Sequence, residues 1–219
     1  MLGEMVHRFL ARRDQSTTTR MRCREKRPFW SVTALALFLS TALCQTLSAQ
    51  TAPTLGTAQS FAVLGASTVT NTGPSVITGN LGLSPLTSIT GFPPGIVIGT
   101  IHQADAVATQ AQADALTAYN SLAGQTCLPT NNLTGQDLGG LTLTAGVYCF
   151  SSSAGLTGTL TLDAQGNPNA VFIFQIGSTL ITASNSSVKM INSGVPCNVF
   201  FQVRSSATLG TGTQFLAGC

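Results

Sequence analysis

Charge is what this chain has least of. Asp, Glu, Lys and Arg make up 8% of its 219 residues, against roughly a quarter in an ordinary soluble domain. The shortage deepens after residue 49. From Gln50 onward there are Lys189 and Arg204 against Asp105, Asp114, Asp137 and Asp163, no Glu, and His102 as the single histidine, so this part carries 2 − 4 = −2 with neutral His. An acid/base mechanism needs positioned titratable groups, so hydrolytic machinery has little to be built from. A solenoid enzyme acting on acidic sugars would need clustered Asp for a metal and Lys or Arg for the substrate, which four scattered Asp do not supply. No CxxC occurs, which argues against a zinc site. The glycines have no following Lys of the phosphate-cradling kind and read as turn residues. No catalytic residue, no metal site and no cofactor is expected, and the chain is not expected to be an enzyme.

The basic residues that do occur are concentrated at one end. Arg8, Arg12, Arg13, Arg20, Arg22, Arg24, Lys26 and Arg27 all lie before residue 50, so the overall charge of +3 is no argument for nucleic acid. Basic residues up to Arg27, an apolar core over residues 29–43 and a small-residue end at Leu47-Ser48-Ala49 make a secretory signal peptide, with cleavage before Gln50. Met21 is an alternative start. The apolar run is too short to span a bilayer. The expected organisation is therefore a signal peptide over 1–49 and one secreted, extracellular domain over 50–219, with no nucleic-acid partner and no membrane partner after cleavage.

Export sets the redox context. Cys127, Cys149, Cys197 and Cys219 remain after cleavage, an even number in an oxidising compartment. Three pairings are open. Cys127 with Cys149 and Cys197 with Cys219 are each 22 residues apart, close to one coil of a stacked repeat, and adjacent rungs lie about 4.8 Å apart, within disulfide reach. Those two pairs are favoured.

What the chain does have is repetition. Val147-Tyr-Cys-Phe-Ser-Ser, Val171-Phe-Ile-Phe-Gln-Ile-Gly-Ser and Val199-Phe-Phe-Gln-Val-Arg-Ser share one pattern, and taking Phe150, Phe174 and Phe201 as equivalent gives intervals of 24 and 27 residues. Each is followed by Ser, Thr, Gly and Leu. A β-branched and aromatic run, a small corner and another short strand describe one coil of a β-solenoid, which must stack on neighbours to bury its inner face. Upstream, apolar residues from Phe61 to Leu83 are broken by Gly, Asn, Pro and Ser into short strands with tight corners. Residues 100–125 read differently. Ile101, Ala104, Ala108, Ala111, Ala115, Tyr119 and Leu122 recur every three or four positions as one apolar stripe. Thr100 with Gln103 predicts a capping box and Gly124 a stop. Such a helix of about 22 residues would be roughly 33 Å long and span about seven rungs. Two coils are expected before it and three to four after it.

The stretch Leu55-Gly-Thr-Ala-Gln-Ser-Phe-Ala-Val-Leu-Gly-Ala-Ser-Thr-Val-Thr-Asn-Thr-Gly-Pro-Ser-Val-Ile-Thr-Gly-Asn-Leu-Gly-Leu-Ser-Pro, then Gly91-Phe-Pro-Pro-Gly, the Ala-rich segment, Val199-Phe-Phe-Gln-Val and Ser205-Ser-Ala-Thr-Leu-Gly-Thr-Gly-Thr together resemble the secreted microbial ice-binding (antifreeze) proteins, over Leu55 to the last residue. The resemblance implies a mainly β fold: a right-handed β-solenoid (β-helix) of triangular section with one long α-helix packed alongside. Because such proteins continue past the last of these motifs, the chain is expected to be carboxy-terminally incomplete. The resemblance also implies an ice crystal surface as partner, adsorbed through a flat Thr-rich β-face, and a monomer. Outward Thr on stacked strands would form rows about 4.8 Å apart across coils and about 6.6 Å along a strand. Some relatives carry a Thr, Ala or Gly, any residue, Thr or Asn pattern, matched by Thr182-Ala-Ser-Asn185 and in its first positions by Thr157-Gly-Thr and Thr211-Gly-Thr. Candidate ice-contacting residues are accordingly Thr159, Thr161, Thr182, Asn185, Thr208, Thr211 and Thr213. An extracellular adhesin or structural surface module on the same solenoid is the alternative, since outward Thr is common on any solvated strand.

Overall fold

Short β-branched and aromatic runs broken by Gly, Asn, Pro and Ser make strands only three to five residues long. The computed structural model describes residues 50–216; the predicted signal peptide and Cys219 lie outside the described residues. The chain first winds through β1 (Phe61–Gly65), β2 (Thr68–Thr70) and β3 (Val76–Thr78). It repeats the turn with β4 (Asn80–Leu83), β5 (Ser88–Thr90) and β6 (Ile96–Ile98), and opens a third coil with β7 (Ile101–Gln103). Pairing is parallel and joins equivalent strands of successive coils, in the orders β1-β4-β7, β2-β5 and β3-β6.

Helix α1 (Ala106–Ala123) follows, and then four more coils. The first of these is irregular: Asn132 bridges to Cys149 and Asp137 to Gly155 before β8 (Thr142–Thr144). The next coils are β9 (Gly146–Phe150), β10 (Ala154–Leu156) and β11 (Thr159–Asp163), then β12 (Phe172–Ile176), β13 (Thr179–Thr182) and β14 (Ser187–Ile191). The last has β15 (Val199–Val203), β16 (Ser206–Thr208) and Gln214, which bridges to Ser187. Again three parallel sheets result, β9-β12-β15, β10-β13-β16 and β8-β11-β14. This is the stacked-coil solenoid that the repeat predicts, three-sided as the family resemblance implies, with two full coils before the helix and four after.

Register corrects the repeat in one place. Tyr148, Phe174 and Phe201 share a column, whereas Phe150 pairs with Ile176, so the coil intervals are 26 and 27 residues rather than 24 and 27. Tyr148 and Phe150, two positions apart on β9, both point inward, so side-chain direction allows either alignment; the ladder sets Tyr148 in the column, with its hydroxyl donating to Thr144 O at 2.7 Å. The rings stack inside the coils, with centroids 5.5 Å apart for Tyr148–Phe174, 4.6 Å for Phe174–Phe201 and 4.6 Å for Phe201–Phe215. Leu156, Leu160, Leu162, Ile176 and Leu180 complete this core. Fully burying each such side chain is worth about 1.5–3 kcal/mol.

The helix begins five residues later than the capping box predicts, with its N-cap at Asp105 rather than Thr100. Residues 101–103 extend the parallel ladder on β4 as β7, and the cap passes to Asp105, whose Oδ1 accepts from Ala108 N at 2.8 Å. Pairing of 101–103 with a waiting strand edge satisfies their backbone groups there, which overrides the local helix signal. Its buried face is Ala108, Ala111, Ala115, Ala118 and Leu122, so the expected stripe holds at Ala108, Ala111, Ala115 and Leu122, passes to Ala118 in place of the half-buried Tyr119, and fails at Ile101 and Ala104. Ala111 and Ala115 pack on Ala58, Phe61 and Leu64, while Leu122 packs on Val147, Val171, Ile173 and Phe200. One helix thus covers the first face of both stacks. At 18 residues it is about 27 Å long, under six rungs rather than seven. Gly124 is the C-cap as expected, and Gln175 of β12 secures that end, its Nε2 donating to Leu122 O and Gln125 O at 2.7 Å each. Cys127 and Cys149 form the first predicted disulfide, with Cα atoms 6.1 Å apart. Cys197 is also disulfide-bonded; its favoured partner, Cys219, lies outside the described residues.

Candidate functional site

Each coil runs from the helix-covered face to a second face and then a third, so only the second and third present their outer side chains freely. On the second face, strand alternation turns Val69 and Ile89 inward with Leu81 and Leu83 and leaves Thr68, Thr70, Ser88 and Thr90 exposed. Register sets Thr68 beside Ser88 and Thr70 beside Thr90, the last two hydroxyls 3.4 Å apart. In the later stack, Ala154, Leu180 and Ala207 point inward while Thr179 pairs with Ser206, and Gly155, Ile181 and Thr208 form the next outward column. Thr179 Oγ1 donates to Ser153 Oγ at 2.8 Å. The outer grid of β2, β5, β13 and β16 is therefore small hydroxyl and β-branched side chains without a charge. Asp137 bridges to Gly155, so on the irregular coil it stands on this same face, at the head of the Gly155–Ile181–Thr208 column, where its carboxylate lies over Gly155.

The third face is chemically divided. Around β11 its outward rows are Thr142–Thr161–Lys189, Thr144–Asp163–Ile191 and Thr159–Ser187, so a cation and an anion stand among the Thr. On β3 and β6 the outward residues are Val76, Thr78, Ile96 and Ile98.

The seven sequence-predicted residues do not lie on one plane. Thr208 is on the second face and exposed; Thr159 and Thr161 are on the third. Thr182 is a correction. It is 3% exposed, turned inward beside Leu156, where it accepts from Gly210 N at 2.9 Å and meets Thr213 Oγ1 at 2.9 Å. Thr213 in turn donates to Gly210 O at 2.7 Å. These two hydroxyls are consumed in closing the corner between second and third faces, so neither presents a hydroxyl to an outside surface. Asn185 and Thr211 occupy the same corner, with Asn185 N donating to Thr211 O at 2.9 Å and Asn185 in the left-handed region at φ 60°. The pattern Thr182-Ala-Ser-Asn185 is thus a turn rather than a face. Sequence reading missed Thr68, Thr70, Ser88, Thr90 and Thr179; the Thr-x-Thr and Ser-x-Thr spacings in β2 and β5 were the available signal.

The four aspartates do separate structural work. Asp105 caps α1 and holds His102 Nδ1 at 2.7 Å, and Asp114 Oδ2 accepts from Thr57 N at 2.6 Å. Asp137 Oδ1 accepts from Gly139 N at 2.7 Å and Thr157 N at 2.8 Å, tying the irregular coil to the next. Asp163 Oδ1 accepts from Asn192 Nδ2 at 2.7 Å and Gln165 N at 2.8 Å. Partial burial is the largest single influence on the Asp137 carboxyl and pushes it up, yet the Thr157 and Gly139 donors together hold it below the ordinary value. The Ala108 amide followed by His102 lowers Asp105, and Asn192 followed by the Gln165 amide lowers Asp163. Each is a charged acceptor fixed by donors, the opposite of a proton-transferring group. Among the described residues no group of three or more His, Cys, Asp or Glu could hold a metal ion, and no helix is long and apolar enough to cross a membrane.

Comparison with known proteins agrees with this architecture. An ice-binding protein of Nostoc sp. (strain HG1) is 68% identical over 162 residues, which cover 74% of this chain and 59% of that protein; the chain thus spans well under two thirds of that relative's length. Among solved structures, an ice-binding protein from an Antarctic biological consortium superposes with a TM-score of 0.75 at 48% identity, covering 78% of this chain and 77% of that one. The ice-binding protein of the ascomycete Antarctomyces psychrotrophicus gives a TM-score of 0.70 at 40% identity, covering 76% of this chain and 83% of that one. The family model described as Ice-binding-like matches residues 63–218, from within β1 to beyond Gln214, and the chain belongs to that family.

Proposed function

We propose that this protein binds ice through its second face and so restrains ice growth or recrystallisation. One observation carries the reading: on the second face of each stack, Thr68, Thr70, Ser88 and Thr90 in the early coils and Thr179, Ser206, Ile181 and Thr208 in the later ones form uncharged outward arrays, each on parallel strands in register. Rows about 4.8 Å apart across coils and about 6.6 Å along a strand repeat on the scale of a water lattice. Each Thr offers a hydroxyl to one water and a methyl beside it. Charged side chains would instead hold water in shells that do not extend into ice, which disfavours the Lys189 and Asp163 region of the third face. Thr and Ile are stiff at χ1, and their strands are anchored from inside, so little entropy remains to be lost when many weak contacts form together. The relatives named above are ice-binding proteins, which supports the same reading. A monomer acting outside the cell after removal of residues 1–49 fits it, since adsorption needs one rigid face and access to ice.

The test is direct exposure to ice. Labelled protein present while an ice hemisphere grows should concentrate on the crystal and shape it, whereas a folded protein excluded from the crystal would refute ice binding.

A further inference from the structure

Several large aliphatic side chains are exposed, among them Leu86, Leu116, Leu128 and Ile181, and three of the exposed ones share one strand pair. Val76, Ile96 and Ile98 are 59%, 57% and 59% exposed, and all three stand on the outer side of the β3–β6 pair. Register places Val76 beside Ile96 and Thr78 beside Ile98, a two-by-two grid of β-branched residues. Their neighbours Ile77 and Val97 point inward onto Val69, Leu81 and Leu83, so the sheet beneath is pinned from within. The grid bears no charge, unlike the later part of the same face with Lys189 and Asp163.

The corner between this grid and the second face is stiff. Asn71 N donates to Thr90 O at 3.0 Å, and its Nδ2 donates to Gly91 O at 3.0 Å and to Gly73 O. Gly91 lies at φ +83°, and a Cβ there would sit 1.8 Å from Asn71 O; only glycine lets the two backbones approach so closely. Ile96 N closes the corner on Ser75 O at 2.8 Å. The two grids are thus held at a fixed angle on adjoining sides of a three-sided coil.

We infer that Val76, Thr78, Ile96 and Ile98 form a second ice-contacting surface, which adsorbs to a different crystal plane from the Thr grid of the second face. The inference rests on the proposed ice binding. Its occupant is argued from the grid's chemistry. A protein partner would be anchored by aromatic or Arg side chains and needs about 800 Å² on each side, and four short side chains supply neither. Ice asks for a flat, preordered, uncharged array, and Val and Ile carry the same branched methyls as Thr without the hydroxyl. Removing their surface from liquid water is favourable in itself. Because the faces adjoin at a corner, they cannot rest together on one flat crystal plane.

The experiment compares planes of adsorption on a single-crystal ice hemisphere for fluorescently labelled wild type, an Ile96→Lys/Ile98→Lys variant and a Thr90→Tyr/Thr208→Tyr variant. Thermal unfolding and sedimentation accompany each. Wild type should decorate two sets of planes, the Lys variant should lose one and keep the other, and the Tyr variant should show the reverse. An Ile96→Ala/Ile98→Ala variant, which removes methyl groups without adding charge, should weaken the same set as the Lys variant. Adsorption by both Ile variants indistinguishable from wild type would overturn the inference while leaving the second-face reading standing. A wild-type dimer converted to monomer by Ile96→Lys/Ile98→Lys would also overturn it, in favour of a second copy. Exclusion of wild type from the crystal would remove both readings.

Discussion

Truncating Phe174 to Ala tests whether the solenoid depends on its internal ring stack. Phe174 is 0% exposed and lies between Tyr148 at 5.5 Å and Phe201 at 4.6 Å, so its removal opens a cavity bounded on two sides by rings that the strand ladders hold in place. Buried Phe→Ala changes cost about 3–5 kcal/mol, and loss of two ring pairs at about 0.5–1.5 kcal/mol each points to the upper half of that range. For a domain of this size, about 2–4 °C of melting temperature per kcal/mol gives a fall of roughly 8–20 °C. Denaturant unfolding followed by far-UV circular dichroism measures it, with Phe150→Ala as comparison because that ring is buried but outside the column. A loss under about 1 kcal/mol at Phe174 would mean that the rungs relax freely around the gap, and the rigid-scaffold reasoning would fail.

Asp105, Asp137 and Asp163 all have carboxyls held below their ordinary values. Their contribution is present above the unfolded carboxylate value of about 3.9 and is lost as pH falls through the lower folded values, so melting temperature should be flat from neutral pH to about 5 and drop below about 4; a drop between pH 5 and 7 would contradict this. Asp137→Ala removes the acceptor for Gly139 N and Thr157 N and should cost about 1–2 kcal/mol in denaturant titration, freeing the irregular coil from its neighbour. Replacing Cys127 and Cys149 together with Ser opens a link across 22 residues and should destabilise by about 3 kcal/mol in the chain-entropy picture; an unchanged unfolding midpoint would show that the link adds little.

Much of the architecture was readable from residues because the relevant signals are local and repeated. Alternation in Phe172-Ile-Phe-Gln-Ile and its partners, the Ala stripe from Ala108 to Leu122, and Gly124 as a stop each state their role within a few residues. The helix start was misread because its deciding partner is β4, far away in sequence: nothing in Thr100 or Gln103 says that a strand edge is waiting. The site was less legible for a sharper reason. A Thr in a short strand points in or out according to register, and register is set by corner lengths that vary from coil to coil. A slip of one residue reverses the assignment. Thr182 and Thr208 look equivalent as text, yet one closes a corner from inside and the other faces out. The visible motifs are corners rich in Thr and Gly, while the exposed residues on β2 and β5 come from plain Thr-Val-Thr and Ser-Ile-Thr.

Ice recrystallisation inhibition by single-face variants settles which side meets the crystal. Thr90→Tyr and Thr208→Tyr each place a bulky ring on the second face, and Thr161→Tyr places one on the charged part of the third; all three positions face outward and should leave the fold intact by circular dichroism. The second-face variants should lose most of the inhibition shown by wild type, and Thr161→Tyr should retain it. Full inhibition by both second-face variants, or its loss in Thr161→Tyr alone, would contradict the assignment of the second face as the ice-binding surface.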